Sequence, residues 1–167
     1  QQFHAMEQTL KGCHHFLDYM ATHPDARIRY HASDMVLNVH SDASYLSVKN
    51  AKSRAAGICF LGSLPQNNQP IRLNGAIAVL CTILKFVAAS AAEAELGALF
   101  LNAKEAKIMR LTLEELGHPQ PPTPIHCDNS TTVGIVNNTI KCQKSRSMEM
   151  RYFWLLDGKI QKLFNFS

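Results

Sequence analysis

The sequence predicts an α/β fold, one mixed sheet with flanking helices, on three local patterns. Met35 to Asp42 alternates, with Met35, Leu37 and Val39 on one side and Asn38, His40 and Asp42 on the other. Ile125 to Asp128 repeats this, setting Ile125 and Cys127 against His126 and Asp128. Between them a helical pattern opens at Ser90 and runs to Leu116.

The elements follow in order. Residues 2 to 21 read as an amphipathic helix, because Met6, Leu10, Cys13, Leu17 and Met20 recur at steps of four and three. His23-Pro24-Asp25 ends it, and Arg27 to His31 is extended in character. The Met35 to Asp42 strand comes next, then a second strand from Ala55 to Leu61, closed by Gly62. Pro65 to Pro70 is a turn, and Pro70 to Val87 holds one or two further strands. Ser90 suits a helix N-cap with Glu93 as its capping-box partner. Gly117 stops that helix, and Pro119, Pro121, Pro122 and Pro124 forbid its continuation. A strand at Pro124 to Asp128, a short helix from Asn129 to Asn137 and a helix from Ser145 to Asp157 follow. Asp157-Gly158 reads as a turn into a last strand, Lys159 to Phe166.

A chain of 167 residues has room for one domain with a real core. Its 46% hydrophobic and 18% charged content is that of a globular protein and excludes a disordered one. No apolar run is long enough to span a bilayer, since Thr82, Lys85, Ser90 and Glu93 break the nearest one; no membrane partner is expected. The N-terminus lacks the order of a signal peptide, and the abrupt end at Leu163-Phe164-Asn165-Phe166-Ser167 reads as a piece of something longer. Five cysteines without C-x-x-C spacing favour reduced thiols in an intracellular compartment. The net charge of +4 is a modest bias towards polyanions, helped by clusters at Lys141, Lys144, Arg146, Arg151 and at Lys49, Lys52, Arg54. Either cluster could equally be a solvated face.

The carboxylates carry the chemistry. Asp42 and Asp128 each end a predicted strand on its polar side, where α/β sheets place ligand sites. The plain alternative is a turn residue or, for Asp128, a helix cap. Glu95 shares a helical stripe with Leu99, Ala106 and Leu113, whereas Glu93 projects roughly 160° away and is explained by capping. A glutamate in line with sheet-facing apolar residues needs a reason to be there, such as a metal. Phosphodiester hydrolysis wants an activated water and a stabilised leaving oxygen, which two divalent ions roughly 4 Å apart supply. Mg²⁺ takes hard oxygen ligands, so Asp42, Glu95 and Asp128 suit it, while His40 and His126 read as structural or substrate-facing.

These segments together resemble a known family. His40-Ser41-Asp42-Ala43 and Ser53-Arg54-Ala55-Ala56-Gly57-Ile58-Cys59-Phe60-Leu61-Gly62 are similar to the opening of the ribonuclease H domain in copia-type LTR retrotransposon polyproteins. Ala89-Ser90-Ala91-Ala92-Glu93-Ala94-Glu95-Leu96, with Ala103-Lys104-Glu105-Ala106 and Leu113-Glu114-Glu115-Leu116-Gly117, resembles its glutamate helix. His126-Cys127-Asp128-Asn129-Ser130 resembles its second aspartate strand, and Lys144 to Tyr152 the helix after it. Residues 1 to 30 resemble the tail of the preceding reverse transcriptase, leaving 31 to 167 as the ribonuclease H-like domain.

The resemblance implies a ribonuclease H-like fold, truncated before the last helix, and hydrolysis of the RNA strand of RNA/DNA hybrids during reverse transcription. It implies Asp42, Glu95 and Asp128 as metal-binding and catalytic residues, two Mg²⁺ ions for which Mn²⁺ can substitute, and as partners the hybrid and the reverse transcriptase region. The expected location is the cytoplasm, in a virus-like particle, or the nucleus. The family's fourth aspartate would follow Ser167; Glu149 and Asp157 remain as candidates for its metal-binding place, on a helix that reads as structural. Ser147 stands where the family often has histidine, and the aromatic stretch after Asp42 is reduced to Tyr45. The competing readings are an inactive remnant that binds nucleic acid or packs on reverse transcriptase, and another three-carboxylate member of the superfold such as an integrase or transposase.

Overall fold

A computed structural model describes residues 7–64, 72–140 and 146–167, with the side chains of 146–148 left out of the description. Five strands form one mixed sheet in the order β3-β2-β1-β4-β5. Strand β1 (Val36–Val48) pairs antiparallel with β2 (Lys52–Gly62), which pairs antiparallel with β3 (Ala76–Ile83). On its other side β1 runs parallel to β4 (Thr123–Cys127), and β4 runs parallel to β5 (Phe164–Phe166). Of the predicted Pro70 to Val87 segment, the described residues from 72 on hold one strand, β3. The predicted Pro65 to Pro70 turn lies outside the described residues, as do Lys141 and Lys144.

Helix α1 (Glu7–Thr22) buries none of its side chains, and its stripe of Leu10, Leu17 and Met20 is exposed. The long helix α2 (Ala91–Glu115) lies on β1, β2 and β4. Ser90 caps it, its side chain accepting the Glu93 N–H at 3.1 Å, while the Glu93 carboxylate accepts the Ala89 N–H at 2.8 Å. Gly117 closes it at φ +90°, a left-handed conformation that side chains resist. Helices α3 (Ser130–Val136) and α4 (Arg146–Ile160) complete the layer, α4 packing on α2 and β5. None of the helices among the described residues is long and apolar enough to cross a membrane.

The core joins these pieces through the alternation of the strands. Leu37, Val39, Ile125 and Cys127 from the sheet meet Leu96, Leu99, Ala103, Ala106 and Leu113 from α2, with Leu155, Phe164 and Phe166 closing the far end. The predicted α2 stripe of Leu99, Ala106 and Leu113 is therefore the buried one, while Ile108 and Leu111 face solvent. Asn102 is one of the buried polar residues: its Nδ2 donates to Ser41 Oγ at 3.0 Å and to the Ala56 carbonyl at 2.8 Å. It holds α2 to β1 one residue before Asp42. Gln120 does similar work at the other end of β1, accepting the Leu37 N–H at 2.9 Å and donating to the Met35 carbonyl at 2.9 Å. Arg110 in turn donates to the carbonyls of Gln120 and Pro121, so the segment entering β4 is tied to α2.

Several predicted boundaries move. Asp157-Gly158 is not a turn; α4 continues through it to Ile160, and the chain turns at Gln161 and Lys162, the latter at φ +57°. Gly158 serves packing instead, because a Cβ there would meet the Phe164 ring at 2.7 Å. The last strand accordingly shrinks from Lys159 to Phe166 down to Phe164–Phe166. Strand β1 runs longer than expected and Asp42 lies within it, with Val48 as its end.

Candidate metal centre

Parallel pairing of β1 with β4 sets the geometry. Val39, His40 and Ser41 stand opposite Ile125, His126 and Cys127, so Asp42 and Asp128 follow at the same level on neighbouring strands. Beyond Ser41 the pairing stops, and the chain after β4 turns into α3. Asn129, not Asp128, caps α3: its Oδ1 accepts the Thr132 N–H at 3.0 Å. The Asp128 side chain is exposed and is not spent on the cap.

Glu95 reaches this end of the β1–β4 pair from the first turns of α2. Its Oε1 accepts the backbone N–H of Ala43 at 3.1 Å, and its Oε2 lies 3.8 Å from the Cys127 thiol, which donates to it. One carboxylate thus touches the residue after Asp42 and the residue before Asp128. Glu95 is 6% exposed, and burial is the main reason its pKa is pushed up to about 7. The Ala43 N–H opposes that shift, while the charges of Asp42 and Asp128 add to it.

Ligand-type atoms of Glu95, Cys127 and Asp128 all lie within 4.8 Å of one another. Asp42 is exposed and stands outside this closest group, yet its charge is felt at Glu95. Cys127 was not among the predicted site residues; its alternation with Ile125 marks it as a core residue, and the rim position follows from the strand ending there. Burial pushes its thiol up to about 11, so it is a protonated hydrogen-bond donor to Glu95. Glu93 is used at the helix start, as its capping role requires. Glu149, on α4, does not join the group, and Asp157 accepts from Gln161 Nε2 at 2.7 Å.

None of the ion pairs among the described residues involves Asp42, Glu95 or Asp128. Among the described residues no cation is thus paired with these carboxylates, and the charges of Asp42 and Asp128 are felt at Glu95. Carboxylate oxygens gathered in this way fit a metal cation.

No family model matches the chain. In sequence it is similar to a retrovirus-related Pol polyprotein from transposon TNT 1-94 of Nicotiana tabacum, 26% identical over 123 residues. That match takes in 74% of this chain and 8% of the polyprotein. Among solved structures it is similar to LC11-RNase H1, isolated from compost by a metagenomic approach, with a TM-score of 0.54 and 9% identity over 80% of this chain and 83% of that one. It is equally similar to LC11-RNase H1 in complex with RNA/DNA hybrid, with a TM-score of 0.54 and 8% identity over 78% of this chain and 83% of that one.

The strand order and these likenesses define a ribonuclease H-like fold. The chain spans 8% of the length of the curated relative it matches, the Pol polyprotein.

Proposed function

We propose that this chain is the ribonuclease H of a copia-type retrotransposon, hydrolysing the RNA strand of RNA/DNA hybrids during reverse transcription, with Asp42, Glu95 and Asp128 as its metal-binding and catalytic residues. The observation that carries the reading is the position of Glu95, hydrogen-bonded beside both strand aspartates at the open end of the β1–β4 pair. Mg²⁺ bound by these carboxylates, with Mn²⁺ as a substitute, would activate water and stabilise the leaving oxygen. The protein's own part is to fix the carboxylates in advance. The Ala43 N–H and the Cys127 thiol orient Glu95, and the strand register aligns the two aspartates. Burial and neighbouring charge keep Glu95 avid for a proton, which a bound metal ion would displace.

Substrate binding would use backbone phosphates and be salt-sensitive and sequence-independent, with the 2′-hydroxyls distinguishing the RNA strand. Residues 1 to 30 are proposed as reverse transcriptase tail and 31 to 167 as the nuclease domain, working with that enzyme in a virus-like particle or the nucleus. A labelled RNA/DNA hybrid incubated with this chain in Mg²⁺ and in Mn²⁺ tests the proposal. Cleavage by the wild type that disappears in Asp42→Asn supports it. Hybrid binding without cleavage in either metal sinks the catalytic claim and leaves a binding remnant.

A further inference from the structure

A second feature sits on the same two strands. His40 and His126 are direct register partners on parallel β1 and β4, and their ring centres are 5.1 Å apart with the planes inclined at 53°. A tetrahedral ion about 2.0–2.1 Å from one nitrogen of each of two imidazoles sets the ring centres about 5 Å apart. The rings already stand at that spacing.

Their surroundings add to this. Phe60 packs edge-on against His40, with centres 5.5 Å apart, which limits how that ring can turn. His40 is half-buried and His126 exposed, so the pair is braced on one side and open on the other. Neither imidazole makes a hydrogen bond among the described residues, although each offers two nitrogens. Both lie near the middle of the sheet, where the backbone ladder fixes the spacing of neighbouring side chains. By strand alternation Asp42 falls on the same face as His40, which adds negative potential for a cation.

We propose that His40 and His126 form a binding site for a borderline transition-metal dication of the Zn²⁺ class, separate from the carboxylate centre. Imidazole nitrogens select Zn²⁺, Co²⁺ or Ni²⁺ over Mg²⁺, which prefers oxygen. Two protein ligands with water in the remaining positions make an exchangeable site. The inference stands or falls independently of hybrid cleavage.

Co²⁺ is the probe, titrated into the whole chain at pH 7.5 with excess Mg²⁺ present and followed by visible absorption. The wild type should take up Co²⁺ with d–d bands and no thiolate charge-transfer band. His126→Gln, an exposed change that leaves the fold intact by circular dichroism, should weaken uptake roughly tenfold or more, as should His40→Gln. Cys127→Ser should leave Co²⁺ uptake at the wild-type level. A thiolate band lost in Cys127→Ser would overturn the proposal by placing the ion with Glu95 and Asp128. Uptake equal in all four proteins would overturn it by placing the ion at other histidines, and so would no uptake at all.

Discussion

Glu95 Oε1 accepts the backbone N–H of Ala43 at 3.1 Å, fastening the start of α2 to the strand that carries Asp42. Through this bond the helix and sheet share one electrostatic fate. The buried carboxylate is stabilised by a donor on one side and repelled by two aspartates around it. Removing its charge should therefore help the metal-free fold and end the chemistry. Glu95→Gln keeps an acceptor for Ala43; at pH 8 in chelator it should be more stable than wild type by roughly 1–2 kcal/mol, a figure discounted for solvent screening, in urea unfolding. Its hybrid cleavage should be lost.

The same group sets a pH dependence. Glu95 has a folded pKa of about 7 against an ordinary 4.5, so its contribution to stability is complete below 4.5 and is lost as pH rises through 7. The difference in melting temperature between wild type and Glu95→Gln, both metal-free, should grow in favour of the variant from pH 5 to pH 8. Mg²⁺ should close that gap at pH 8, because it binds the ionised form. A gap that widens towards low pH would contradict the assignment.

Capping and chemistry separate at the next pair of residues. Asn129 caps α3 through the Thr132 N–H, so Asn129→Ala should cost about 1 kcal/mol. Asp128→Asn should leave thermal stability close to wild type while abolishing cleavage. Melting curves of the two variants distinguish cap from ligand.

Close packing under the site gives a coupled pair. A Cβ on Gly57 would collide with the Asn102 side chain. Gly57→Ala should lose about 1–3 kcal/mol in the wild-type background and much less in an Asn102→Ala background. Additive losses in urea unfolding would mean the helix simply shifts.

The β1–β2 turn carries strain far from the carboxylates. Asn50 and Ala51 adopt φ of +62° and +53°, a region that costs a residue with a Cβ about 1 kcal/mol. Ala51→Gly should leave stability equal or higher by up to about 1 kcal/mol, with cleavage unchanged.

Much of this was legible in the sequence because the relevant signals are local. The alternation of Leu37, Val39, Ile125 and Cys127 gave the two central strands, and the Ser90–Glu93 box with Gly117 gave α2 nearly to the residue. Glu93 and Glu95 could be told apart by helical phase alone. Features that depend on tertiary contacts were hidden. Asp157-Gly158 looks like a turn, but Gly158 is small to admit Phe164 from the following strand. The irregularity between Ser44 and Val48, where Leu46 takes φ +52°, lets β1 extend past Asp42 in a way no periodicity announces. The Cys127 thiol beside Glu95 follows from where β4 ends relative to β1, and the His40–His126 pairing from a register that only the folded sheet fixes.

Calorimetric titration of Mg²⁺ into the metal-free chain at pH 8 tests most directly whether these carboxylates make one centre. The account predicts saturable uptake in the wild type that is lost in Glu95→Gln and in Asp128→Asn and weakened in Asp42→Asn. Uptake in Glu95→Gln equal to the wild type would contradict it, because the carboxylate joining the two strands would then have no part in holding metal.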